Sequence, residues 1–161
     1  MKIRGLKLNY LGIPLAVLSV SLIGGYITGG NMDWYDTLNL PIFTPHGSFI
    51  GLVWTIIFLL SAISILLFSN HPKTNRRNLF FIIIVSLFVL NGFLNIFWST
   101  LFFGWHLIFW SVIEMMALNL VNLILILMLW RGYKISAILF IPYFVWVSFA
   151  TYLAYSIYLL N

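Results

Sequence analysis

The 161-residue chain is 63% hydrophobic and 7% charged, carries a net charge of +5 and has no cysteine, and its mean hydropathy is +1.08. Soluble domains hold about 25% charged residues, so too few polar side chains exist here to coat a water-facing surface, and the chain reads as an integral membrane protein. The lack of cysteine excludes disulfides, thiolate metal sites and cysteine nucleophiles. The basic residues are never interleaved with aromatics in a soluble segment, which sets nucleic acid aside as a partner.

A helix needs about 20 apolar residues to cross the hydrocarbon layer, and five such runs occur. The basic start "MKIRGLKLNY" resembles the opening of a signal peptide. The apolar run after it exceeds the ~7–15 residues of a signal core and has no small-residue cleavage site, so 8–28 is expected as a retained first span. Pro14 is expected to kink it, and Gly25-xxx-Gly29 matches the small-residue motif of helix–helix contacts. A second such pair is Gly47-xxx-Gly51.

The connector that follows, 29–48, is far longer than a turn between helices requires. It holds Asp33, Trp34, Tyr35, Asp36, Pro41, Phe43 and Pro45. Two prolines remove backbone donors and interrupt any regular helix, while the aromatic residues are too apolar for a freely solvated loop. Two readings stand side by side: an aromatic anchor in the interface, and a semi-rigid lid over the mouth of the bundle, in which Trp34, Tyr35, Pro41, Phe43 and Pro45 take part.

The second span is expected at 49–69, with Trp54, Phe58 and Ser61 on one stripe. The third, 79–97, carries Asn91 and Asn95 one helical turn apart, with Trp98 on the same face. The fourth, 107–130, carries Glu114, the only acidic residue at membrane depth, with Trp110 one turn before it. The fifth, 135–159, contains Pro142 and aligns Tyr143, Trp146, Ala150 and Leu153. A carboxylate at a helix centre costs at least ~2.5 kcal/mol on insertion scales. Glu114 therefore faces the interior, either hydrogen-bonded to an asparagine of another helix or as part of a polar site. Asn91 and Asn95 have the same two readings, helix–helix bonding or site lining, while Asn119 and Asn122 are expected to bond neighbouring helices. Aromatic planes with a few convergent polar groups suit a flat, amphipathic, apolar ligand.

Every Lys and Arg falls on one side of a five-span arrangement: Lys2, Arg4 and Lys7 before the first span, Lys73, Arg76 and Arg77 between the second and third, Arg131 and Lys134 between the fourth and fifth. Asp33 and Asp36 fall on the other side. The excess of positive charge on cytoplasmic loops then predicts an all-α bundle of five transmembrane helices forming one domain over 1–161, N-terminus in the cytoplasm and C-terminus outside. His46, His71 and His106 are scattered with no metal-ligand spacing, and Glu114 has no histidine beside it, so no metal site is expected. No nucleophile–base pair, phosphate loop or paired acids suggest conventional catalysis.

Three segments, "WYDTLNLPIFTPHGSFIGLVW", "LNIFWSTLFFGWHLIFWSVIE" and "IPYFVWVSFATYLAYSIYLLN", resemble the TspO/MBR family, the translocator or tryptophan-rich sensory proteins. The resemblance runs from Trp34 to Asn161 and rests on W-Y-x-x-L-x-x-P-x-x-x-P with G-x-x-W after it, and on P-Y-x-x-W-x-x-F-A-T in the last span. It implies a five-helix membrane protein, often dimeric, that binds porphyrins and isoquinoline- or benzodiazepine-type compounds beneath its first loop. It also implies a role in sensing, transport or regulation of tetrapyrroles. By motif position Trp54, Asn95, Trp110, Glu114, Trp146, Ala150 and Leu153 line the pocket. Phe58, Asn91 and Tyr143 join them on their stripes. Asn91 stands where relatives carry another amide, and Glu114 where many carry Asp.

The alternative implied by some bacterial relatives is light- and oxygen-dependent porphyrin breakdown, with Trp54 and Trp146 as oxidisable partners of the excited ring. Three departures from the family pattern stand out. Here Pro45-His46 replaces a commonly doubled proline. No basic residue follows Tyr152, so the sterol-recognition pattern of animal relatives is absent and cholesterol is not an expected ligand. The glycine-spaced contact pair that some relatives carry in the third span is also not evident. Porphyrin is expected as a ligand and no covalent cofactor is expected. The expected location is a bacterial plasma membrane.

Overall fold

The structure, a computed structural model, describes the backbone at residues 2–3 and 6–161 and the side chains from Leu8 onward. Arg4 lies outside the described residues, and Lys2 and Lys7 are described by their backbone alone. Two strands of two residues each, β1 (Lys2–Ile3) and β2 (Leu6–Lys7), pair antiparallel before the helices. Five helices are long and apolar enough to cross a membrane. These are α1 (Asn9–Gly29), α3 (Gly47–Asn70), α4 (Leu79–Ser99) with its extension to Gly104, α5 (Ile108–Trp130) and α6 (Lys134–Leu160). A one-turn helix, α2 (Met32–Tyr35), sits in the long connector. The protein is thus an all-helical, multi-pass membrane protein, as its apolar runs predict.

Local chemistry sets several boundaries. The His46 imidazole caps α3 by accepting from the Ser48 N–H at 3.4 Å. The Asn78 side chain caps α4 by accepting from the Phe80 N–H at 3.2 Å. Both satisfy donors that a helix start leaves open. Pro72 follows two residues after the end of α3 and biases His71 away from helical backbone, which is extended there at ψ 139°.

The third span is longer than its expected end at 97. After Ser99 the chain widens into a π-helical turn, Thr100–Gly104, closed by the Trp105 N–H donating to the Thr100 carbonyl at 2.7 Å. The wider turn carries Leu101, Phe102 and Phe103 into the core together. His106 then reverses the chain with φ 58°, a left-handed conformation that histidine tolerates better than most residues.

Packing closes the spans into a ring: α1 lies against α3 and α4, α4 against α5, α5 against α6, and α6 against α3. α5 buries Ser111, Met115, Leu118, Asn122, Leu125 and Leu129 along one side. Polar side chains join the helices at depth. Asn91 donates to Asn122 at 2.6 Å, Asn119 to Ser148 at 2.7 Å, and Ser64 to the Ser136 carbonyl at 2.8 Å. The close approach of α1 to α4 uses Gly24 and Gly92. A Cβ at Gly24 would stand 3.2 Å from Ser99 Oγ, and one at Gly92 3.1 Å from Val20 Cγ2. The glycine pairs singled out by spacing do something else: at Gly25, Gly29, Gly47 and Gly51 an added Cβ meets nothing within 4 Å. These four are not helix contacts within the chain.

Candidate ligand cavity

A cavity of about 480 Å³ opens between α1, α2, α3, α4 and α6. Its size falls in the ~300–1,000 Å³ range of ligand sites. Its aromatic walls come from three helices. Trp54 of α3 stacks on Phe58 (centroids 5.8 Å apart) and on Trp98 of α4 (6.0 Å). Trp98 continues the stack to Phe102 at 5.8 Å. Trp146 of α6 adds a further indole to the lining, packed against Phe49 and Phe149 at 6.3 and 5.4 Å. The floor toward α6 is Ala150 and Leu153. The four contact-free glycines provide the thin part of the wall, on α1 and α3. Among the described residues the indole N–H groups of Trp98 and Trp146 are buried without a hydrogen-bond partner.

The expected site residues divide into two groups. Trp54, Phe58, Asn95, Trp146, Ala150 and Leu153 all line the cavity. Asn91, Tyr143, Glu114 and Trp110 do not. Asn91 is held by Asn122 one turn deeper. Tyr143 is fully buried behind the wall, accepting a hydrogen bond from the Asn95 amide at 2.9 Å, and packs edge-on to Trp54 at 6.1 Å. It therefore positions two lining residues without joining them.

Glu114 is 6% exposed. It bonds to none of the asparagines, and among the described residues both its carboxylate oxygens lack a hydrogen-bond partner. Trp110 is 58% exposed. Because α5 turns Ser111 and Met115 inward, Trp110 falls with Ile113 and Ala117 on its outer strip. α5 contributes no residue to the cavity.

The lining also includes residues that spacing did not single out for the site: Trp98, Phe102 and Phe103 on the α4 side, and Ser21, Gly24 and Thr28 on α1. Trp98 was detectable, one turn beyond Asn95. The α1 residues carried a weaker signal, a cluster of small residues in a span otherwise rich in leucine and isoleucine.

The long connector covers one end of this cavity and contributes Met32 and Tyr35 to it. Trp34 stacks flat on His106 with centroids 4.0 Å apart and meets Phe102 edge-on at 5.6 Å. Tyr35 packs on Phe103 at 5.7 Å. Burial, with Asp36 adding to it, pushes the Tyr35 phenol above its usual 10.0. Further along, Phe43 stacks on Tyr152 of α6 at 5.4 Å. Asn39 and Asn161 form a reciprocal clasp. The Asn39 N–H donates to Asn161 Oδ1 at 2.9 Å, and Asn161 Nδ2 donates to the Asn39 carbonyl at 3.1 Å. Half-buried Pro41 closes a turn, its carbonyl accepting from the Thr44 N–H at 3.0 Å. Pro45, also half-buried, leads into the His46 cap.

The model of the TspO/MBR family matches residues 12–160. The chain belongs to the TspO/MBR family. It is similar to tryptophan-rich protein TspO of Bacillus cereus, 35% identical over 128 residues, or 80% of each chain. It is also similar to tryptophan-rich protein TspO of Archaeoglobus fulgidus, 30% identical over 148 residues, covering 91% of this chain and 93% of the relative. Protein CrtK of Rhodobacter capsulatus is 25% identical over 128 residues, covering 80% of this chain and 78% of that one. The family match, residues 12–160, reaches all five helices and the connector, so the cavity lies within it.

Proposed function

We propose that this TspO/MBR protein binds a flat, apolar ligand of the porphyrin type, or an isoquinoline- or benzodiazepine-type compound, and acts in the sensing, transport or regulation of tetrapyrroles. The observation that carries the reading is the cavity itself, with the indoles of Trp54, Trp98 and Trp146 on its walls. Stacked aromatic faces favour a planar ring. The connector over the cavity, held at both ends by aromatic stacking and the asparagine clasp, supports its role as a lid. The segregation of basic residues supports an N-terminus in the cytoplasm and a C-terminus outside, in a bacterial plasma membrane.

Tryptophan fluorescence of the purified protein, titrated with protoporphyrin IX in darkness, tests the reading. Saturable quenching is the expected result. Losing the buried contact of one indole, about 1.5–3 kcal/mol, weakens binding in Trp146→Ala or Trp54→Ala about ten- to hundredfold. Unchanged affinity in folded variants refutes the assignment. Repeating the titration under light and air separates a second activity. Porphyrin loss that is faster than without protein, and abolished by Trp→Phe at these positions, is the mark of photo-oxidative breakdown.

A further inference from the structure

At the opposite end of the bundle a second cleft, of about 720 Å³, opens where α3 ends, α5 turns into α6 and α1 begins. Among the described residues its rim holds two cations, Arg131 and Lys134, together with His71. No acidic residue lines it. The chain's three acids are Asp33 and Asp36 in the connector over the other end, and Glu114, buried in α5. The rim cations therefore face a cleft with no internal counter-charge. α6 begins at the same point, with no acidic residue in its first turn and no side-chain cap, so the positive end of its dipole adds to the field.

Below the rim the walls change character. Ile63 and Leu67 of α3 and Ile135 of α6 are exposed and apolar, so one side of the cleft continues onto the surface that meets the lipid tails. Tyr10 and Trp130, at the ends of α1 and α5, are half exposed. Such rings favour the boundary between headgroups and hydrocarbon. A cleft at this depth is filled by an amphiphile, and its charge decides which headgroup is retained. A water-soluble anion would use only the rim and leave the apolar walls without a partner.

We infer that this cleft is a binding site for one anionic phospholipid. Its phosphate is held by Arg131 and Lys134 and its acyl chains lie along Ile63, Leu67 and Ile135. Basic clefts between spans at the cytoplasmic leaflet suit such headgroups. The inference is independent of the porphyrin reading, since the two cavities share no residue.

Native mass spectrometry of the full chain, titrated with dioleoylphosphatidylglycerol or dioleoylphosphatidylcholine, tests it. The expected result is one phosphatidylglycerol retained per chain, about tenfold tighter than phosphatidylcholine. A juxtamembrane cation contributes roughly a factor of five. Arg131→Gln and Lys134→Gln should each weaken retention about fivefold, and the pair about 25-fold. Both side chains are exposed, and the single variants supply the readout should the double variant fold poorly. Lys73→Gln/Arg77→Gln removes the same charge from the same end outside the cleft and should change affinity less than twofold. Equal retention of the two lipids overturns the inference, as does an equal loss in the Lys73/Arg77 control. Displacement of phosphatidylglycerol by millimolar inorganic phosphate also overturns it, in favour of a free-anion site.

Discussion

Asn91 offers a sharp test of the boundary between site and scaffold. Spacing places it on the stripe of Asn95, yet its amide is spent on Asn122 at 2.6 Å in a buried contact between α4 and α5. Asn91→Leu removes that bond and leaves a buried amide on Asn122 with no partner. Leaving a buried polar group unmade costs about 1–3 kcal/mol, whereas interhelical hydrogen bonds in membranes average ~0.6 kcal/mol and reach ~1.7 kcal/mol. The expected destabilisation is therefore about 1–2 kcal/mol. Asn122→Leu should cost a similar amount for the same reason. The double variant, with apolar groups on both sides, should fall short of the sum by about 0.6–1.7 kcal/mol, since neither partner is then orphaned. Equilibrium unfolding in mixed micelles gives all four corners of the cycle, and porphyrin affinity is read on the same samples. Strict additivity would refute the pairing. A tenfold loss of affinity in Asn91→Leu at unchanged stability would return Asn91 to the ligand site.

Three further outcomes follow from the geometry. Gly51→Leu should reduce porphyrin affinity at least tenfold while the melting temperature holds or rises, because a Cβ there meets only open space and leucine is the better helix former; equal affinity would show that the ligand does not approach α3 there. Asn161→Ala removes both halves of the Asn39 clasp, two exposed bonds that together contribute about 1–2 kcal/mol, so amide exchange across residues 36–44 should quicken about five- to thirtyfold with little change in the spans. Tyr35 has its phenol raised above 10.0 in the docked connector by burial and by Asp36. The undocked form thus loses its proton first, and docking weakens as pH rises from about 10 toward the higher docked value. Tyr35→Phe should flatten that alkaline loss in hydrogen exchange or ligand off-rate, and an unchanged profile would assign it to another group.

Much of the architecture follows from the sequence by itself. Five apolar runs of spanning length leave helices as the only way to satisfy the backbone in lipid, and the basic residues separate cleanly from Asp33 and Asp36 along the chain. Within one helix the 3.6-residue period orders side chains relative to each other, which is why Trp54 with Phe58, and Trp146 with Ala150 and Leu153, were legible as stripes and now share a cavity wall. That period does not supply the rotation of a helix against its neighbours. In a span that is apolar all round, lipid and core attract the same side chains, so composition leaves the inward face undecided. Packing of α5 between α4 and α6 made the choice, sending Trp110 outward and burying Glu114 behind the wall. The same ring closure turned the small residues of α1 into cavity lining. It also joined Asn39 to Asn161 across 122 positions. That contact depends on where two distant helix ends come to rest, which only the assembled bundle determines.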